Sequence, residues 1–178
     1  MQFRIRTLIA AGALVLAGCS TPPVNTGSVS PASSGPPSSA AAPAEAKKPP
    51  TWGERYTWPS GVAIEVGKPA TCKPGEYAQP QGIERAVLVD VKIVNGSDKP
   101  VDATLLSVAN ATFAGAPAEA VFDSNGKCAN TSMQVSTVMP GKTLALKMSF
   151  AVKKAPGELQ IEFQGDLGGD KAVFVGQA

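Results

Sequence analysis

The strongest regularity along this chain is a hydrophobic period of two. Val87, Val89, Val91 and Ile93 alternate with Leu88, Asp90, Lys92 and Val94. Leu144, Leu146, Met148, Phe150 and Val152 alternate with Ala145, Lys147, Ser149, Ala151 and Lys153. Leu159, Ile161 and Phe163 alternate with Gln160, Glu162 and Gln164. Each run turns one apolar face inward and a more polar face outward, as half-buried antiparallel strands require. Shorter strands are expected at residues 56–58, 62–66, 101–108, 111–113, 120–123 and 172–175. Asn95-Gly96-Ser97-Asp98-Lys99-Pro100, Asn125-Gly126 and Pro140-Gly141 supply the turn chemistry between them. No segment reads as an amphipathic helix, and residues 114–120 have room for one turn at most. About seven to nine short strands with regular turns predict an all-β fold, an immunoglobulin-like antiparallel β-sandwich over residues 52–178. A small barrel is the competing architecture.

Upstream the period disappears. From Ser20 to about Thr51 the chain is almost entirely Ser, Pro, Ala, Gly and Thr, with only Val24 and Val29 as larger apolar residues. Such a stretch buries too little apolar area to offset its ordering entropy, so residues 19–51 are expected to be a disordered linker. Extended, it would reach roughly 90 Å, and as a coil nearer ~30 Å.

Before the linker, Arg4 and Arg6 precede an apolar run that ends in Leu16-Ala17-Gly18-Cys19. The run is too short for a permanent span, which needs roughly 20 residues. A positive start, a short apolar segment and small residues leading to a cysteine read as a lipoprotein signal over residues 1–18. Cys19 would become the acylated first residue, since a thiolate is the nucleophile needed to form a thioether to a lipid. Two acyl chains of the palmitate class, at about 0.8 kcal/mol per buried methylene, make a stable anchor. The implied location is the cell membrane, on its extracytoplasmic side, with the membrane itself as partner through Cys19. The competing reading is an ordinary export signal with an incidental cysteine.

That cleavage changes the charge picture. The chain holds 16 basic and 14 acidic residues, and Arg4 and Arg6 leave with the signal. The remainder balances at zero, and no basic cluster exceeds Lys47-Lys48 or Lys153-Lys154. A nucleic-acid footprint is therefore absent. Cys72 and Cys128 remain as an even pair in an exported domain, which reads as a structural disulfide. Closing that loop of about 57 residues would stabilise the fold by about 4 kcal/mol. A redox or metal role lacks a CxxC spacing and histidine partners.

The chain contains no histidine. Ser-His-Asp and Cys-His nucleophiles, HExxH zinc sites and histidine-bound copper are thereby excluded. No phosphate-binding or dinucleotide fingerprint occurs, and no cofactor is implied. Asp166, Asp170, Glu158 and Glu162 lie close in sequence, but solvated charge on a strand's polar face explains the glutamates more simply than an acid/base pair. Asp123-Ser124-Asn125-Gly126 and Asp166-Leu167-Gly168-Gly169-Asp170 are incomplete as calcium loops, and turn chemistry accounts for both. Asn95, Asn110 and Asn130 begin Asn-x-Ser/Thr sequons, which carry little meaning in a bacterial host.

Trp52, Tyr56 and Trp58 lie within seven residues of one another. They read either as a contact patch or as aromatics covering the end of the core. Core packing is the preferred reading for Trp58, and Trp52 is left open because it follows the linker directly.

The order of Tyr56-Thr57-Trp58-Pro59-Ser60-Gly61-Val62-Ala63-Ile64-Glu65-Val66, then Val89 to Pro100, Val138-Met139-Pro140-Gly141-Lys142, Phe150-Ala151-Val152 and Ala172-Val173-Phe174-Val175-Gly176 resembles a family of actinobacterial lipoproteins. That family carries a secreted-antigen-like, immunoglobulin-type domain of unknown function. The resemblance implies a β-sandwich, a lipid anchor and an envelope location, and it transfers no catalytic residue. The expectation is thus a non-enzymatic lipoprotein whose domain binds an envelope or secreted protein. A small-ligand or glycan carrier is the alternative, and a carboxylate hydrolase is a remote third.

Overall fold

The computed structural model describes residues 27–31, 48–107, 109–124, 126–134, 136–165 and 170–178. Within them the period-two runs become strands, because β-branched and aromatic side chains pack well on a pleated surface. The first five strands are β1 (Ser28–Pro31), β2 (Glu54–Thr57), β3 (Val62–Val66), β4 (Ala70–Cys72) and β5 (Arg85–Asn95). β6 (Val101–Asp102), one helical turn α1 (Thr104–Ser107), β7 (Ala109–Phe113), β8 (Ala116–Pro117) and β9 (Thr137–Val138) follow. β10 (Thr143–Val152), β11 (Glu158–Gln164) and β12 (Lys171–Gln177) complete the chain.

One sheet has the order β1-β2-β3-β5-β10, with β4 also paired to β5, and the second has the order β12-β11-β7-β8. β6 and β9 make a short ladder of their own. Every pairing is antiparallel. This is the all-β, immunoglobulin-like sandwich that the alternation predicts, and the barrel is set aside because the two sheets stay separate. β3 and β4 share one edge of β5: Val62–Val66 face Asn95 to Val91, and Ala70–Cys72 face Leu88 to Ala86. The chain steps off that edge at Lys68-Pro69, where proline has no N–H for the ladder.

The core lies between the sheets. Val87, Val89, Val91 and Ile93 of β5 and Leu146, Met148, Phe150 and Val152 of β10 are buried against Leu159, Ile161, Phe163, Ala172 and Phe174. Phe163 and Phe174 meet edge to face at 6.1 Å, a geometry that aromatic quadrupoles favour.

Four expectations need correction. The linker reading of 19–51 fails at Ser28–Pro31, which pairs with β2 as an edge strand, Val29 lying opposite Tyr56. Val29 also packs against the core, so even one apolar residue suffices to seat a strand beside an existing edge. The ordered domain begins before residue 52 as well, since the Pro50 carbonyl accepts from the Val175 amide at 2.9 Å. The strand expected over 101–108 stops at Asp102: its carboxylate accepts from the Thr104 amide and hydroxyl at 2.9 and 2.6 Å, starting α1 and burying Ala103 and Leu106. Residues 120–123 make only isolated bridges, Ala120 to Phe150 and Phe122 to Gln79.

Candidate interaction surfaces

The two ends of the sandwich are closed by different chemistry. At one end lie Trp58, the β2–β3 turn, the β5–β6 loop and the β9–β10 turn. Tyr56 is fully buried and Trp58 is 2% exposed. Their rings meet edge to face at 5.1 Å. Trp58 Nε1 donates to the Asp170 carbonyl at 2.8 Å, bringing the β11–β12 connection to the same end. The Tyr56 hydroxyl accepts from the Gly27 amide at 2.9 Å. Burial pushes the Tyr56 phenol above its ordinary value, the Gly27 amide opposes that shift, and the Asp170 charge adds to it. Gly27 and Gly165 lie so close to the Tyr56 and Trp58 rings that any Cβ would overlap them.

Asn95 stitches the loops of this end together. It is fully buried, and its Nδ2 donates to the carbonyls of Lys99 and Val138, both at 2.7 Å. Its Oδ1 accepts from the Ser97 amide at 3.0 Å, and its backbone joins Lys142 and Gly141 at 3.0 and 2.7 Å. A buried amide satisfied on every side specifies one arrangement of its neighbours. Met139 stands 54% exposed beside this network.

The contact-patch reading of Trp52, Tyr56 and Trp58 is therefore corrected. Tyr56 and Trp58 are core residues: Tyr56 in β2 and Trp58 just past its end turn to the same side, into the main core cluster. Trp52 is half-buried, with Nε1 donating to the Gln177 carbonyl at 2.9 Å and its ring against Gly176. It covers the β12 edge.

The opposite end carries the disulfide. Cys72 of β4 is bonded to Cys128, with 5.3 Å between the Cα atoms. The bridge ties the 119–131 segment across the outer face of β5 and β10, where a second small cluster forms from Ala78, Ala86, Val121 and Cys128. Ser149, expected on a solvated face, is fully buried there, and its hydroxyl donates to the Cys128 carbonyl at 2.9 Å. Asp123 is buried too, accepting from the Gly75 and Cys128 amides at 3.2 and 3.1 Å. The Asp123-Ser124 sequence thus does turn work, as read, with its carboxylate aimed at backbone N–H groups. Asn125 lies outside the described residues.

Large apolar side chains stand exposed on these stapled loops. Tyr77 is 81% exposed and Phe122 50%, and Gln79 and Phe122 exchange backbone hydrogen bonds at 2.9 and 2.8 Å. Met133, 79% exposed, stands in the loop that follows this segment, beyond the point where Thr131 is tied to Lys147 of β10. Sequence reasoning missed all three: Tyr77 and Met133 lie in segments without periodicity, and Phe122 lies in the stretch expected to be a strand, which makes only isolated bridges. The available signal was a lone large apolar residue between polar neighbours, as in Gly75-Glu76-Tyr77-Ala78-Gln79.

The remaining candidates are spread apart. Glu162 pairs with Lys171 at 3.2 Å and accepts from Gln160, while Glu158 is exposed at the start of β11. Asp166 and Cys19 lie outside the described residues. Glu84 is exposed, and the hydrogen bond from the Lys153 ammonium, with the Lys154 amide, holds its carboxyl below the usual range.

No family model matches the chain, and no curated protein matches it. Among solved structures, a candidate lipoprotein of Bacillus subtilis superposes with a TM-score of 0.52 at 13% identity, over 66% of this chain and 36% of that one. This chain therefore spans about a third of that protein's length. An uncharacterised β-sandwich protein of Clostridium difficile aligns over 76% of this chain and 99% of its own, with 13% identity and a TM-score of 0.44. At such identity the likeness is one of fold.

Proposed function

We propose that this chain is a lipid-anchored cell-envelope protein, held by acylated Cys19 on the extracytoplasmic side of the membrane. Its immunoglobulin-like domain is non-catalytic and meets another envelope or secreted protein through the disulfide-stapled loops. Its place is among the actinobacterial lipoproteins that the strand-and-turn motifs resemble.

The observation that carries this reading is the pair of exposed aromatic side chains on the stapled loops, Tyr77 and Phe122, with exposed Met133 in the loop that follows. Exposed aromatics and methionines are favoured at protein interfaces, where they provide large contact areas. The disulfide supports an oxidising compartment, and the signal ending at Cys19 supports the anchor. The glycan-carrier alternative loses the support of Tyr56 and Trp58, which are core residues, while Trp52 is half-buried at the β12 edge.

Proximity labelling from the natively anchored chain tests the reading. Neighbours labelled by the native protein should be lost with Tyr77→Lys combined with Met133→Lys. An unchanged set of neighbours in that variant would remove the stapled loops as the contact. Metabolic labelling with a fatty-acid analogue should vanish in Cys19→Ser, and persistent label would overturn the anchor.

A further inference from the structure

We propose that β1 is a strap that seats the Trp58 end of the sandwich on the lipid bilayer holding Cys19. The inference rests on the reading of Cys19 as the acylated residue, and it adds which face of the domain meets the membrane.

The direction of β1 sets the geometry. Ser28 lies opposite Thr57 and Pro31 opposite Glu54, so the chain enters β1 beside Trp58 and runs toward the far end of β2. The Gly27 amide is held there by the buried Tyr56 hydroxyl at 2.9 Å. Eight Cα steps separate Cys19 from Gly27, which fully extended span at most about 28 Å. Without β1 the leash would run from Cys19 to residue 48 or beyond, with a reach of roughly 90 Å. A long leash lets any face of the domain meet the bilayer. With β1 in place the short leash leaves from one end, and that end is kept near the lipid.

The loops at that end suit a lipid surface. Met139 and Pro140 are exposed, flanked by the exposed ammonium side chains of Lys99 and Lys142. Asn95 binds the Lys99 carbonyl and the Val138 carbonyl, so the two loops form one rigid foot. A thioether enters the interfacial region readily, and each lysine near an anionic leaflet contributes by electrostatic attraction. Asp98 is the acidic member of the foot and lies in the Lys99 loop. Tyr77 and Phe122 lie at the opposite end, clear of the bilayer and free for the protein contact proposed above.

Hydrogen exchange on the full acylated chain, reconstituted in phosphatidylethanolamine–phosphatidylglycerol vesicles, tests the strap. The reference is the same protein as soluble Cys19→Ser. On vesicles, amides of residues 96–99, 139, 141 and 142 should slow by about tenfold, while those of residues 75–79 stay unchanged. Val29→Lys, which places a charge where β1 packs on the core, should abolish both β1 protection and the loop slowing. Met139→Asp should abolish the loop slowing and leave β1 protected. Equal exchange on and off vesicles overturns the strap while the anchor stands. Slowing that survives Val29→Lys also overturns the strap. Native chain that fails to float with the vesicles overturns the anchor, and the strap with it.

Discussion

The Trp58 end closes the gap between the sheets, whereas the disulfide staples a loop onto the outer face of β5 and β10, and the two regions depend on different interactions. At the Trp58 end the aromatic rings belong to the main core and reach it by strand alternation. At the disulfide end the buried members of the covering cluster are Ala78, Ala86, Val121 and Cys128, with Cys72, Ile83 and Ala151 half-buried against them. Two alanines, a valine and a half-cystine bury little apolar area, and at about 25 cal/mol per Å² they offset little of the entropy of ordering a long loop. The cross-link and the Asp123 hydrogen bonds make up the difference. Where side chains are large, packing suffices, and where they are small, the chain is held by covalent and polar ties.

Removing one element from each end breaks this comparison most sharply. Trp58→Ala should cost about 3–5 kcal/mol in denaturant unfolding, since it leaves a cavity between the sheets. It should also loosen β1 in hydrogen exchange, because Trp58 packs on Tyr56, which holds Gly27. Reduction of Cys72–Cys128, or the double serine variant, should cost about 4 kcal/mol. Its exchange signature should be confined at first to residues 73–84 and 119–131. Uniform loss of protection over both ends would mean that the two are a single cooperative unit.

Asp123→Ala should cost about 1–3 kcal/mol by leaving the Gly75 and Cys128 amides without their acceptor. The same substitution in the reduced protein should cost clearly less, because both changes release the same loop. Additive effects in that cycle would separate Asp123 from the staple.

The smallest effects are those of pH. The Tyr56 phenol is raised in the folded state, so its stabilising contribution is complete below the unfolded value near 10 and is lost as pH rises through the folded one. Alkaline unfolding should therefore be shallower in Tyr56→Phe, compared with its own neutral baseline. Glu84 is lowered, so its contribution is present above the unfolded carboxylate range and fades as pH falls through the folded value. Glu84→Gln should flatten the acid limb slightly. An unchanged limb would assign the Lys153 contact no role in folding.

Much of the fold was legible from local pattern. In β5 and β11 the apolar positions read from alternation are the buried ones, because the side-chain period of a strand is a property of the backbone itself. The pairing of Cys72 with Cys128 followed from counting. The candidate surface was far less legible. Tyr77, Phe122 and Met133 stand in segments whose positions depend on a disulfide and on Asp123, and nothing local to them says that they face outward. The aromatics were legible in part: core packing is the reading the sequence prefers for Trp58, and Tyr56 joins it in the core once the sheets are placed around them.

By itself, then, the sequence determined which positions alternate, where turns interrupt them, that Cys72 and Cys128 stand in one domain, and that Cys19 follows a short apolar run behind Arg4 and Arg6. These are properties of neighbouring residues, and short-range sterics and chemistry decide them. Only the tertiary structure decided that Ser149 is buried on an outer face, that Ser28–Pro31 leaves its low-complexity surroundings to pair with β2, and that the two ends face opposite ways. Each of those depends on segments far apart in the chain, and burial is fixed by whichever distant segment comes to cover a surface.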